Sequence, residues 1–403
     1  MTMPPKPYLY LDYAATAPLC AEAAEAMAPY DGVGEASLML NANPNSLHSP
    51  GRTAYRALEA ARRTLAECLG ARRPDEVVLT GGATEADNAA LWGLARAERD
   101  RRAQAGKPVA EPHVIVSSIE HAAVLRPAKT MRAAGFRVTE LPVDRQGFVE
   151  VRALEAALGA DTVLVSVQAA NSEGGSVQSV RELAACAHEA GALFHTDAVQ
   201  ALGKVPLSVG EWGVDAASFS AHKIGGPRGV GALYLKARTP FEPLMRGGGQ
   251  ESGLRSGTQN VRGAVGFAAA ARAATAHVAD DVAAMTVLRD RLYGALAAFG
   301  PVQATVDVEP GSLDFLPNVV SVLVEGLESE TMLLRFDGLG IGVSGGSACS
   351  SHSLDPSHVL LAMGVPADLA HGALRLSFGR GTTMADIDAF LAAVPKVLDW
   401  KRA

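Results

Sequence analysis

The chain has 403 residues, of which 48% are hydrophobic and 20% charged, with a net charge of −7 at neutral pH. That length exceeds what one core usually serves, so two domains, or one large α/β domain with an appendage, are expected. Interspersed charges give no extended basic field for nucleic acid, and no apolar run nears the ~20 residues of a membrane span. The Pro-rich start, Met1-Thr2-Met3-Pro4-Pro5-Lys6-Pro7, lacks the apolar core of a signal peptide, which makes a cytoplasmic location the default expectation.

From about Glu76 to Leu235 short apolar runs alternate with helical patterns, the signature of βα units building a mostly parallel sheet. After the strand-like Val77-Val78-Leu79 comes Thr80-Gly81-Gly82-Ala83-Thr84-Glu85-Ala86, which leads into a helix through Asn88, Leu91 and Leu94. Its glycines let backbone N–H groups approach an anion, the helix N-terminus adds about half a positive charge, and Thr84 offers a hydroxyl. The stretch lacks the Gly-Lys-Ser/Thr ending of a Walker A loop, and an ordinary capped helix is the competing reading. Asp100 to Pro112 reads as a loop.

His121, in Ser117-Ser118-Ile119-Glu120-His121, follows a strand, where an imidazole can lie over a flat ring and move a proton; a lone histidine is more often structural. Thr162 to Val167 reads as a strand, Val180, Leu183, Ala184 and Ala187 mark a helix face, Gly191 stops it, and Ala192 begins a strand that ends on Asp197. Ligands of open α/β sheets bind beyond the carboxyl ends of the strands, so Asp197 can share a crevice with the next strand's product, Ser220-Ala221-His222-Lys223. That tetrapeptide closes the run Val214 to Phe219 and precedes Gly225-Gly226-Pro227-Arg228-Gly229-Val230-Gly231. A lysine held at a fixed point, with Ser and His beside it for an anion and small residues beyond for a flat ligand, suits an aldehyde cofactor, pyridoxal 5′-phosphate. Asp197 then pairs with the ring nitrogen and Gln200 addresses the phenolic oxygen. The alternative is a solvated lysine after an edge strand.

After about Gly263 the pattern changes to a long Ala-rich helix followed by strands at Val319 to Leu323 and Ala373 to Ser377, which predicts a smaller α+β domain. The expected division is a large cofactor domain over 16–263 and a small one made of 1–15 and 264–403. Arg375 has the planar fork for a substrate carboxylate, although an exposed strand charge explains it equally. Cys20, Cys68 and Cys186 read as structural. Cys349 differs: Val343-Ser344-Gly345-Gly346-Ser347-Ala348-Cys349-Ser350-Ser351-His352-Ser353 is polar, and a thiol there reads as a movable nucleophile on a loop over about 344–356. Arg246 to Asn260 is a second glycine-rich loop. Histidines 352, 358 and 371 match no compact ligand spacing with Cys349, so no metal is expected.

Taken together these residues resemble the pyridoxal-phosphate-dependent cysteine desulfurases of the NifS/IscS-like group, in the class V aminotransferase superfamily. The resemblance runs from Tyr10-Leu11-Asp12-Tyr13-Ala14-Ala15-Thr16 and Asn43-Pro44-Asn45-Ser46-Leu47-His48 through Gly82-Ala83-Thr84-Glu85, Glu120-His121 and Asp197-Ala198-Val199-Gln200. It continues through Ser220-Ala221-His222-Lys223 and Arg255-Ser256-Gly257-Thr258 to Gly346-Ser347-Ala348-Cys349 and Arg375-Leu376-Ser377. It implies fold type I and a homodimer whose sites lie at the subunit interface. Lys223 would bond the cofactor, and His121 would stack on the ring as acid and base. Asp197 would pair with the pyridine and Gln200 with the phenolate. Ala83, Thr84, Ser220, His222 and Thr258, the last reaching across from the other subunit, would hold phosphate. Asn171, Ser172 and Arg375 would meet substrate, and Ser172 the cofactor as well. L-cysteine would become L-alanine, with a persulfide on Cys349 passed to a sulfur-acceptor or scaffold protein.

The chain departs from that pattern at four positions. Asn171-Ser172-Glu173 stands where the group usually has Asn-Asn-Glu, so a contact weakened by about 1 kcal/mol is expected at Ser172. Ser252 replaces a common arginine, Gly345 a usual serine and His352 a usual small residue. Two other readings stay open: another pyridoxal-phosphate enzyme, such as an aminotransferase or selenocysteine lyase, and a noncatalytic partner of a sulfur-transfer complex.

Overall fold

A short strand, β1 (Leu9–Tyr10), precedes seven that form the main sheet: β2 (Val77–Thr80), β3 (His113–Ser117), β4 (Arg137–Leu141), β5 (Thr162–Ser166), β6 (Leu193–Asp197), β7 (Ala216–Ser220) and β8 (Gly231–Leu235). The computed structural model, which describes residues 8–346 and 355–399, orders them β2-β8-β7-β6-β5-β3-β4. All run parallel except β8, which is antiparallel to both β2 and β7. Strands β2, β3, β5, β7 and β8 are buried at every residue, as strands covered on both faces must be.

Helix Ala83–Gln104 covers one face, setting Ala86, Ala90, Leu91 and Leu94 against Val78, Val114 and Val116. Helices Ser49–Leu69, Val180–Glu189 and Val261–Thr275 cover the other, with Leu58, Leu65, Leu183 and Phe267 in one core with Phe194 and Phe219. A second core lies around the antiparallel sheet β12-β10-β9, made of β9 (Val302–Ala304), β10 (Val319–Val324) and β12 (Ala373–Ser377). Strand β1 stands outside the main sheet and pairs in parallel with β11 (Ile341–Gly342), and Leu11 is buried in this second core.

Two expectations are corrected. The helix after β2 continues to Gln104, because Glu98 pairs with both Arg101 and Arg102, and the Arg102 guanidinium bonds the carbonyls of Ala160, Thr162 and Gly191 at 2.9, 2.8 and 2.7 Å. What reads in the sequence as a loop from Asp100 is therefore partly a charged helix end. The long Ala-rich helix is two, Val261–Thr275 and Val278–Leu296. Their apolar faces serve different cores: Val261, Ala264 and Phe267 the first, Met285, Leu292 and Leu296 the second.

Candidate active site

Strands β2, β3, β5, β6 and β7 end on one edge of the sheet, and beyond it opens a cavity of about 660 Å³. Ala83, Thr84, His121, Ser172, Asp197, Gln200, Ser220, His222, Lys223 and Arg375 all line it. Residues remote in the chain thus meet because most of them stand at or shortly after the carboxyl end of a main-sheet strand, whereas Arg375 comes from the middle of β12 in the second sheet.

Lys223 lies in a single 3₁₀ turn, Ala221–Ile224, closed by Gly225 in the left-handed region at φ 80°. The turn aims the ammonium back at the chain after β1, where Nζ donates to the carbonyls of Ala14 and Ala15 at 2.6 and 3.0 Å. Asp197 ends β6, is 7% exposed, and accepts from the Val199 N–H at 2.9 Å through Oδ1. Burial raises its pKa, while that N–H, His121 and Lys223 pull it back down.

His121 caps the helix Ala122–Ala133: its Nδ1 accepts from the Ala123 N–H at 3.1 Å, which leaves the proton of the neutral ring on Nε2. The protein crowded around the ring holds its pKa below that of a free imidazole; Asp197 opposes this, and Lys223 and His358 reinforce it.

The Gly81-Gly82 turn starts helix Ala83–Gln104, with Gly82 at φ 148°. Amides in the first turn of a helix have no acceptor of their own, and Ala83 and Thr84 of this turn line the cavity. Glu85 locks the turn by accepting the Gly81 N–H at 2.7 Å and both arms of Arg255 at 2.7 and 3.0 Å. Across the cradle, the His222 Nδ1 meets the Thr16 hydroxyl at 3.1 Å. Burial, then Lys223, lowers the His222 pKa to about 4, so this imidazole is neutral at ordinary pH. Gly231 pairs with both Thr80 and Ser220, and a Cβ there would lie 2.6 Å from the Phe219 carbonyl oxygen and 2.7 Å from the Gly82 Cα. Its missing side chain lets the lysine strand and the glycine turn meet.

Gln200 spans the wall, donating from Nε2 to the Ala14 carbonyl at 3.0 Å and accepting at Oε1 from the Lys204 ammonium at 2.8 Å. Arg375 reaches in from β12, its Nη2 on Asp12 at 2.8 Å and its Nη1 on the Ser172 carbonyl at 3.1 Å. Its buried Nε has no partner among the described residues.

Asn171 is not in the lining. It is buried and shapes the turn that presents Ser172: Nδ2 bonds the Ile119 carbonyl at 3.2 Å, and Oδ1 accepts from the Glu173 and Gly174 amides at 2.8 and 2.9 Å. Thr258 is exposed and lies outside the lining of this cavity. Cys349 and His352 fall outside the described residues. The ends of their segment are placed: Ser344 exchanges backbone bonds with Arg375 at 3.1 and 2.7 Å, and Ser357 donates to Glu173 at 2.5 Å. Cys20, Cys68 and Cys186 are half-buried free thiols whose pKa burial raises, in keeping with structural roles.

The lining also holds Asp87, Gln168 and Arg228, which sequence reasoning did not single out. Asp87 carried a usable signal, since it lies one helical turn after Ala83 and so shares its face. Its carboxyl is 1% exposed and neither oxygen has a hydrogen-bond partner among the described residues.

These features fit pyridoxal 5′-phosphate. Asp197 lines the cavity with one carboxylate oxygen taken by the Val199 N–H, which leaves acceptor capacity for a ring nitrogen. The helix start at Ala83 and Thr84 suits an anion, and Lys223 offers the amine an aldehyde needs. Fold and site define an α/β protein whose cavity, at the carboxyl edge of the sheet and beside a lysine, suits an aldehyde cofactor.

Residues 9–390 match the family described as aminotransferase class-V. A cysteine desulfurase of Cereibacter sphaeroides is 44% identical over 98% of this chain and 97% of its own length. The solved structure of a NifS-like protein superposes with a TM-score of 0.87 at 36% identity, covering 98% of this chain and 100% of that one. Another, titled SspA in complex with cysteine, gives a TM-score of 0.76 at 31% identity over 93% and 99% of the two chains. The chain belongs to the class-V aminotransferase family and, within it, to the cysteine desulfurases, which depend on pyridoxal 5′-phosphate.

Proposed function

We propose that this chain takes sulfur from L-cysteine, releases L-alanine and carries the sulfur as a persulfide on Cys349 to an acceptor protein. The observation that carries the reading is the convergence of Lys223, Asp197, His121 and Arg375 on one cavity. Bound there, the cofactor supplies an electron sink for the substrate's Cα electron pair.

The chain's own groups do the rest. Arg375 holds the substrate carboxylate with the donor capacity that Asp12 and the Ser172 carbonyl leave over. Lys223 takes and returns the α-proton, and the His121 Nε2 holds a proton beside it. The Cys349 thiolate attacks the substrate sulfur: the Sγ–S bond forms as the C–S bond breaks, and the electron pair left on carbon takes a proton to give the methyl of alanine. Substrate and thiol supply every atom of alanine and persulfide. That Ser344 pairs with Arg375 and Ser357 with Glu173 supports delivery of the 347–354 segment to this cavity.

In the same reading the two cores act as a large cofactor domain and a small domain bearing the Cys349 segment. The molecule is a cytoplasmic homodimer in which the partner subunit's Thr258 completes the phosphate site, and the acceptor serves Fe–S cluster assembly or another thio-cofactor or tRNA pathway. Among the described residues no helix is long and apolar enough to cross a membrane.

The test is the visible spectrum of purified protein before and after L-cysteine, with alanine and Cys349 persulfide quantified in the same sample. The expected result is a cofactor band that changes as both products appear together. Cys349→Ala should keep the band and lose sulfur release. Sulfur release that survives in that variant would sink the persulfide route.

A further inference from the structure

Lys204 ends the turn that follows β6. Its side chain is buried, the residue being 7% exposed, yet it forms no ion pair among the described residues. A buried ammonium without a counter-ion is costly and needs a reason. Among the described residues its side chain makes one hydrogen bond, to the Gln200 Oε1 at 2.8 Å. Gln200 in turn donates to the Ala14 carbonyl at 3.0 Å, and that same carbonyl accepts from the Lys223 ammonium at 2.6 Å. Two amines are therefore joined through one amide and one carbonyl, with Gln200 facing the cofactor cavity and Lys204 behind it. Lys204 borders a second cavity of about 320 Å³ that also touches Lys223.

We propose that Lys204 is a positioning residue of the cofactor site: it fixes the Gln200 amide from behind and competes with Lys223 for a proton. The inference rests on the reading of the main cavity as the pyridoxal-phosphate site. With Oε1 held by Lys204, Gln200 presents only N–H to an anionic oxygen in the cavity, the orientation a phenolate requires. Competition between the amines favours the neutral form of Lys223, the form that bonds an aldehyde and accepts a proton. Charged neighbours support this. Burial, then Lys223 and Arg375 on the active-site side, lower the Lys204 pKa to about 7. Tyr13, Cys20, Glu22 and Arg380 border the second cavity from behind, and none of them is hydrogen-bonded to the Lys204 amine.

The experiment compares full-length wild type, Lys204→Met and Lys204→Arg, each loaded with pyridoxal 5′-phosphate, by following cofactor absorbance against pH. Removing the second amine should raise the absorbance midpoint by about one pH unit, a tenfold gain in proton affinity. Arginine keeps a charge at every pH and should leave the midpoint at or below the wild-type value. A Lys204→Met protein that binds cofactor and titrates like wild type overturns the inference while leaving the cofactor site standing. A wild type without a cofactor band overturns both. A second arm does not depend on the variants folding: acetic anhydride labelling of the unloaded wild-type chain, quantified at Lys204 by mass spectrometry. A midpoint near the ordinary lysine value of about 10.4 overturns the competition.

Discussion

Arg375 is 2% exposed, with two of its nitrogens engaged and Nε unpartnered among the described residues. Lysine at that position would keep the charge and lose the fork. Arg375→Lys should therefore raise the KM for L-cysteine about 10- to 100-fold, the range of roughly 1.5–3 kcal/mol for a hydrogen bond to a charged group, with a smaller change in kcat. Steady-state alanine release checks it, and an unchanged KM would remove Arg375 from substrate binding. Ser172 gives a prediction of opposite sign. Its side chain lines the cavity where the family usually has a longer amide, so Ser172→Asn should lower KM about fivefold, equivalent to ~1 kcal/mol. Lys223, Asp197 and His121 were legible in the sequence because each stands just past a strand, and a strand's end fixes where the next side chain goes. Asn171 was not. Its residue type suits substrate as well as it suits a turn, and its turn role shows only in the Ile119, Glu173 and Gly174 contacts.

Among the elements, the glycine-rich stretch after Lys223 is the most exacting. A methyl on Gly231 would meet backbone atoms of Phe219 and Gly82, neither of which can swing aside as a flexible side chain would. Gly231→Ala should cost about 1–3 kcal/mol in stability and weaken cofactor retention, because it parts β8 from the Gly81-Gly82 turn at the cavity. Thermal melts with and without pyridoxal 5′-phosphate measure both effects, and a variant that melts like wild type would show that the strands yield more than their packing suggests. The βα alternation was readable from the period of its apolar residues. The break between Val261–Thr275 and Val278–Leu296 was not, since alanine suits helix throughout and which core each half faces is a tertiary matter. The extent of the helix to Gln104 was hidden for a related reason: its last turn owes its order to Arg102 reaching carbonyls at Ala160, Thr162 and Gly191, remote in sequence.

For the molecule as a whole, acid stability is tied to His195, fully buried between β5 and β7 with its ring nitrogens 2.8 Å from the Ser166 hydroxyl and 2.9 Å from that of Ser218. Burial lowers its pKa from 6.5 to about 3, so below pH 6.5 the unfolded chain binds a proton that the folded one refuses. Stability is thus lost as pH falls from about 6.5 towards 3, by up to about 1.4 kcal/mol per unit from this group. His195→Gln should be less stable at pH 7.5 and show a shallower fall between pH 6.5 and 5 in denaturant melts; an unchanged slope would assign the acid sensitivity elsewhere. The path of the chain around β1 bears on how the molecule is made. Leu9 pairs with Ile341, and the carbonyls that hold Lys223 follow a few residues after Leu9. During synthesis the segment that brackets the lysine emerges long before the strand that anchors it. Gln200 and His222 already tie this stretch to the first core, and β11 ties it to the second, so one short N-terminal segment is fastened on both sides only when the last third of the chain has arrived.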